Sequence, residues 1–412
     1  MKHCTTPDTT PEERRQLERG RSRVLRAVAA RLRSDARVRG DVAIRYRRAR
    51  VAVGLALGAR MTRRAADRVA RRACRIMPCY DQLFQMLDLW EAFEIVGIHH
   101  LERAVAAGRG AVIAPMHFGR YRWIPIALPA QGYATTIISD TPNLDVHTEF
   151  ARHDAWQGLY PTETIPDTAG AELVSSESPL ALWTLTRALR AGRLVMIYID
   201  GNSGVHGYAS TSSSLAIDFL GQHLDVRRGI ATMAAVAGSP IIPAVARERR
   251  SGAPQLELGE PISRIEGEPR AAFEERAMRM LFAALELEVV RAPDLWEEWH
   301  VLPNWIARPP APHVEGSSEL PASIPALAGR RLALVAPNVC AVRYLDGAEV
   351  VRLPTGEVVD TDEMAADLVA AAERGERALD WVRECDDAGA AMESLRSYLG
   401  RRIVGLVPGN RR

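Results

Sequence analysis

The chain has 412 residues, 47% of them hydrophobic and 25% charged, and a formal net charge of +2. Those proportions exclude a fibrous or disordered protein and leave enough chain for two domains with a sizeable core. Charge is uneven: residues 1–80 hold 22 Lys+Arg against 7 Asp+Glu, a local surplus of 15 that leaves −13 for the remainder.

Residues 1–11 are polar and show no secretory apolar region, and the apolar run 51–59 is too short to span a bilayer, so no transmembrane helix is expected. Residues 12–80 read as two or three helices, since Leu17, Val24, Leu25, Val28 and Leu32 recur at helical spacing with arginines opposite. Gly40 and Gly58 are candidate breaks. The arginine face has two readings, a solvated helical cap or an electropositive surface for anionic headgroups or an acidic protein. No DNA- or RNA-binding motif accompanies it, so nucleic acid is not expected.

Residues 82–107 mix helical spacing with a candidate strand at 93–98 and a short helix that ends at Gly108. Ala111, Val112, Ile113 and Ala114 then lead through Pro115 and Met116 to His117, the pattern of a buried parallel strand with a histidine at its carboxyl end. A helix at 123–130 and a strand at 133–139 complete a βαβ unit. Residues 141–177 are polar and irregular, with Pro142, Pro161 and Pro166. A helix at 178–191 and a buried strand at 194–199 end in Asp200-Gly201, and the Gly/Ser-rich 210–214 lacks the spacing and lysine of a phosphate loop. Residues 217–221, a helix at 229–237 and a strand at 238–245 repeat the βαβ rhythm; a strand at 255–260 and an amphipathic helix at 271–291 follow. Trp296, Trp299 and His300 then form an aromatic cluster expected to serve packing.

Prolines between 303 and 325 mark a linker. Beyond it come strands at 331–336 and 340–344, a hairpin turn at Asp346-Gly347, a further strand to 358 and two helices ending near Gly400. The expected fold class is therefore α/β, with a mostly parallel sheet flanked by helices, a basic helical N-terminal cap and a small separate β-then-α C-terminal module. The boundaries are 1–80, 81–305, 306–327 for the linker, and 328–412. The five cysteines, Cys4, Cys74, Cys79, Cys340 and Cys385, show no metal-ligand spacing, and His99, His100, His147 and His153 form no metal pattern. No disulfide, metal or cofactor is expected.

The run from Gly108 through Gly110, Pro115, Met116, His117, Phe118 and Gly119 resembles the first block of the lysophospholipid acyltransferase superfamily, most closely its lipid A late acyltransferase branch. Three blocks follow in the same order: Ile217-Asp-Phe-Leu-Gly221, Gly238-Ser-Pro-Ile-Ile-Pro243 and Pro293-Asp-Leu-Trp-Glu-Glu-Trp-His300. The resemblance covers roughly residues 85–305. It implies transfer of a fatty acyl group from a thioester donor, an acyl carrier protein or acyl-CoA, to a hydroxyl or amine in lipid or specialised-metabolite biosynthesis. His117 would be the general base. It further implies substrate contacts from Phe118, Gly119, Arg120, Phe219 and Gly221, and a substrate- or oxyanion-side role for Arg152, for which a surface ion pair is the other reading.

The family carries a carboxylate five positions after its histidine, where this chain has Arg122. An arginine cannot accept a hydrogen bond from the imidazole, and its charge disfavours the imidazolium. Three readings stay open. Asp200 or Asp140, each ending an expected strand, substitutes; an already nucleophilic amine needs no dyad; or the domain has lost catalysis and binds an acylated or anionic ligand, which Arg122 could clasp. The C-terminal module resembles the small peptide-binding chaperone domain of pyrroloquinoline quinone biosynthesis, which implies a peptide or carrier-bound acceptor docked by strand addition. The expected location is cytoplasmic, with a peripheral place on the inner membrane face as a further option.

Overall fold

A computed structural model describes residues 36–83, 94–121, 124–140, 171–201, 214–248, 254–306 and 324–408, the last span without residues 329, 337, 354, 375 and 402. Arg122, Arg152, His147, His153, residues 12–35 and most of the 303–325 linker lie outside the described residues. No described helix is long and apolar enough to cross a membrane.

Helices α1 (Ala36–Leu57) and α2 (Arg63–Leu83) open the described chain. Gly58 starts a short 3₁₀ turn and so acts as a break, whereas Gly40 lies inside α1. Next come β1 (Glu94–Val96), α3 (Ile98–Ala106), β2 (Ala111–Gly119), α4 (Ile124–Ala130), β3 (Thr135–Ser139), β4 (Ala171–Ser175), α5 (Ala181–Arg190) and β5 (Leu194–Met196). The chain continues through β6 (Ser214–Phe219), β7 (Gln222–Arg227), α6 (Gly229–Ala237), β8 (Ile241–Glu248), β9 (Pro254–Leu258) and α7 (Arg270–Arg291). The C-terminal region holds β10 (Arg330–Leu334), β11 (Val339–Tyr344), β12 (Gly347–Arg352), β13 (Glu357–Asp360), α8 (Glu363–Arg374), α9 (Ala378–Glu384), α10 (Ala388–Gly400) and β14 (Val404–Pro408).

Seven strands form one sheet in the order β1-β9-β8-β2-β5-β3-β4. Pairing is parallel throughout except between β8 and β9. The fold class is thus α/β, a mostly parallel sheet flanked by helices, with small separate antiparallel sheets elsewhere. β2 is buried along its length except at His117, as a central strand covered on both faces must be. Its inner residues join Leu101, Ile124, Leu194, Ile242 and Leu256 in a continuous apolar core.

Three local expectations are corrected. Residues 171–175, read as irregular, form the edge strand β4, whose five residues carry too little apolar signal to stand out. Residues 217–221 do not belong to a βαβ unit: β6 and β7 make an antiparallel hairpin, turned by Leu220 and Gly221 at φ 52° and 73°, the left-handed pair such a hairpin requires. The last helical stretch breaks, because Asp387 caps α10 by accepting from the Gly389 and Ala390 N–H groups at 2.8 and 3.0 Å, and the chain then returns as β14 to pair with β10.

The chain divides into two compact units. One holds 75–219 and 223–298; the other joins 39–74 and 220–222 to 299–412. The expected region 1–80 therefore does not stand alone. Within the second unit, α1 seats on β11 through two glycines one turn apart: a Cβ on Gly54 would come 2.5 Å from Val342, and one on Gly58 would come 2.0 Å from the Arg343 carbonyl oxygen. Arg50 pairs with the buried Glu349 at 2.9 Å, and Arg63 reaches the same carboxylate at 3.4 Å. Part of the N-terminal arginine surplus thus holds the fold together, while Arg60, Arg64 and Arg68 remain exposed. Leu332, Val350, Leu368, Trp381, Leu395 and Val404 form the core of the C-terminal part.

Candidate active site

His117 owes its exposure to a fault in the sheet. From Pro115 to Gly119, β2 takes four residue steps where β8 takes two, from Ala244 to Ala246. The surplus bulges and turns a side chain out of an otherwise buried strand. Gly119 closes the bulge at φ 64°, where a Cβ would lie 2.2 Å from the Ala246 carbonyl oxygen, so both conformation and space demand glycine. Arg120 follows half-buried, its N–H donating to the same oxygen at 3.2 Å.

The neighbouring β5 runs past its last ladder residue beside β2: the N–H groups of Ile197 and Ile199 donate to the Ile113 and Pro115 carbonyls at 3.0 and 2.9 Å. This registers the two strand ends and sets Asp200 beside His117. Both lie at the carboxyl ends of adjacent parallel strands, where open α/β sheets carry their sites.

Asp200 is fully buried, with 0% exposure, and four hydrogen bonds meet on its two oxygens. Oδ1 accepts from His117 Nδ1 at 2.8 Å and Oδ2 from Trp296 Nε1 at 2.8 Å, while the His117 backbone N–H donates to both at 3.1 and 3.0 Å. The backbone bonds hold the strand end against Asp200, and the Nδ1 bond orients the ring so that Nε2 faces away from the carboxylate. Among the described residues no hydrogen bond reaches Nε2, and 19% of the His117 side-chain surface is exposed.

Two tyrosines frame the ring. Tyr198 stacks on it at 4.3 Å between centroids, and Tyr121 meets it edge-on at 4.8 Å. The Tyr121 hydroxyl donates to Glu297 at 2.6 Å and the Tyr198 hydroxyl to the Tyr121 carbonyl at 3.1 Å, so neither ring is free to swing. Glu298 Oε1 stands 4.0 Å from His117 Nδ1. Burial pushes the imidazole pKa down, but the charge of Asp200, then Glu298, the Asp200 hydrogen bond and Glu297 outweigh it and raise the pKa to about 9.

Of the expected site residues, the fold brings together His117 and Asp200. Asp140 ends β3 half-buried and is not among the carboxylates that act on the imidazole. Phe118 is buried, and its backbone bridges to Trp296, which docks the 293–298 segment against the end of β2. Phe219 is not a surface for substrate: fully buried, it packs edge-on against Trp296 at 5.5 Å and supports the residue that holds Asp200. Gly221 serves the hairpin turn. Trp296 packs as expected, and its N–H adds a polar role that pattern reading missed. Tyr121, Tyr198, Glu297 and Glu298 were missed as well. The available signal was the unusual Trp-Glu-Glu-Trp run, because two adjacent carboxylates between buried tryptophans require partners.

A separate cleft of about 790 Å³ lies at the amino ends of β2 and β8, lined by His100, Arg103, Arg109, Ser239, Glu260 and Arg264. The C-terminal ends of α3 and α6 open into it, and arginines there complement those helix dipoles. Among the described residues no cluster of His, Cys, Asp and Glu could hold a metal ion. No protein-family model matches the sequence, and comparison with curated proteins finds no match.

Proposed function

We propose that the protein is an acyltransferase that moves a fatty acyl group from a thioester, on an acyl carrier protein or coenzyme A, to a hydroxyl or amine acceptor. The observation that carries this reading is the Asp200 to His117 Nδ1 hydrogen bond of 2.8 Å, with Nε2 facing away from the carboxylate. Asp200 supports the reading in which a carboxylate from elsewhere takes the place that Arg122 leaves, since an acceptor for the ring arrives from the adjacent strand. The ordered resemblance to the lysophospholipid acyltransferase superfamily supports the same chemistry.

In this reading neutral His117 takes the acceptor's proton at Nε2 as the acceptor attacks the thioester carbonyl. The tetrahedral intermediate collapses, the carbon–sulfur bond breaks, and the imidazolium returns its proton to the leaving thiolate. Asp200 stabilises the imidazolium during the intermediate's lifetime. A pKa near 9 means that about 1% of the rings are neutral at pH 7, so substrate must enter the minor form or lower the pKa on binding.

The test is to incubate purified protein with acyl carrier protein or coenzyme A thioesters and a panel of amine and alcohol acceptors, and to follow thiol release and acylated product. Transfer by the parent that drops about 10²- to 10⁴-fold in His117→Ala supports the general-base role. Equal transfer by the variant overturns that role. No transfer by either, together with thioester binding, favours a domain that only binds an acylated ligand.

A further inference from the structure

Helix α5 turns apolar side chains in both directions. Its inner face buries Ala181, Leu185, Ala188 and Leu189 against the sheet layer, as an amphipathic helix should. Its first turn also exposes Leu180, Leu182 and Trp183 by 62, 50 and 59%. The Arg187 guanidinium lies 5.1 Å from the centre of the Trp183 ring, which keeps the indole and a positive charge on one face, and Arg190, exposed further along, donates to the Val236 carbonyl at 3.2 Å.

The position of this knob follows from topology. α5 connects β4 to β5, and both strands run parallel to β2 in the same sheet. The helix therefore begins at the carboxyl end of the sheet, the end that carries His117 and Asp200.

We propose that the first turn of α5 is a docking surface for an anionic lipid bilayer. Leu180, Leu182 and Trp183 enter the boundary between headgroups and acyl chains, and Arg187 and Arg190 lie against lipid phosphates. An exposed tryptophan between leucines, backed by arginines one and two turns along, has the amphipathic character that favours a membrane interface. Charge complementarity selects anionic lipid, since each basic side chain near such a surface adds attraction. Glu177, exposed just before the helix, opposes that attraction, so the apolar residues carry most of the binding. The inference does not depend on the chemistry at His117.

Full-length protein is centrifuged with vesicles of phosphatidylcholine alone and of phosphatidylcholine mixed with phosphatidylglycerol. The parent is expected to sediment with the mixed vesicles and more weakly with the neutral ones. The exposed double variant Leu182→Gln/Trp183→Ala, checked for native circular dichroism, should lose about tenfold in partitioning. Arg187→Gln/Arg190→Gln should lose severalfold on the mixed vesicles only. Absence of parent binding overturns the proposal. So does undiminished binding of the Leu182/Trp183 variant, which would assign the membrane contact to another surface such as the arginines of α2. Equal parent binding to both vesicle types overturns the assignment to anionic lipid.

Discussion

Two almost completely buried carboxylates, Asp200 in one compact unit and Glu349 in the other, are satisfied by opposite means. Asp200, with 0% exposure, takes its bonds from an indole, a backbone amide and an imidazole. Glu349, with 3% exposure, is held by the guanidiniums of Arg50 and Arg63. An arginine stays charged at any ordinary pH, so the second arrangement is fixed. Histidine can lose its proton, so the first can change charge while its carboxylate stays bonded. The same pressure, an acid that must be paired when buried, yields a fixed clamp in one place and, under the proposed function, a proton-transfer pair in the other.

The sharpest way to break this contrast is Asp200→Asn. The amide keeps the shape but no longer stabilises an imidazolium and can hold the wrong tautomer, so transfer should fall about 10³-fold with the fold retained. Full activity in steady-state assays would remove Asp200 from the mechanism. Glu349→Gln should act on stability instead, by about 3 kcal/mol in denaturant unfolding, because two arginines lose their buried counter-charge.

Gly119→Ala tests whether the bulge aims His117. A Cβ 2.2 Å from the Ala246 oxygen at φ 64° should cost about 2 kcal/mol and lower kcat as well, whereas Gly58→Ala, with a clash of 2.0 Å in the second unit, should show the stability loss alone. Unchanged kcat in folded Gly119→Ala would mean that the bulge does not set the ring.

The pH dependence separates activity from stability. With the His117 pKa near 9, kcat/KM should rise about tenfold per unit above pH 7 and level off beyond pH 9. Stability should move the other way. A folded pKa above the ordinary 6.5 contributes stability that is complete below that value and is lost as pH rises through 9, on the order of 3 kcal/mol. The smallest effect is expected from Trp296→Phe. With one hydrogen bond fewer on the carboxylate, the Asp200 charge holds the imidazolium more strongly and shifts the alkaline limb upward, which lowers kcat/KM about threefold at pH 7. A limb that stays in place would reduce Trp296 to packing.

Much of this architecture was legible from pattern alone. The uninterrupted apolar run before His117 could only be a buried strand or helix, and glycine and proline on either side chose the strand. The helix at 229–237 and the hairpin at Asp346-Gly347 were equally plain, because turn residues and periodicity agreed. β4 and β14 were not legible: each is short, and each is a strand only because a distant partner supplies its hydrogen bonds. The helices α1 and α2 were visible as helices, but nothing local says that Gly54 and Gly58 seat one of them on β11.

The chain by itself determined that a histidine would stand at the end of a buried strand and that an arginine, not a carboxylate, lies five residues later. Those facts depend on residue identity and local spacing. Which acid pairs with that histidine was decided only by tertiary structure. Asp200 lies 83 residues from His117 and Trp296 lies 96 from Asp200, so no local pattern relates them. They meet because β5 is inserted beside β2 and the 293–298 segment bridges to Phe118, and strand order in a sheet is set by long-range packing.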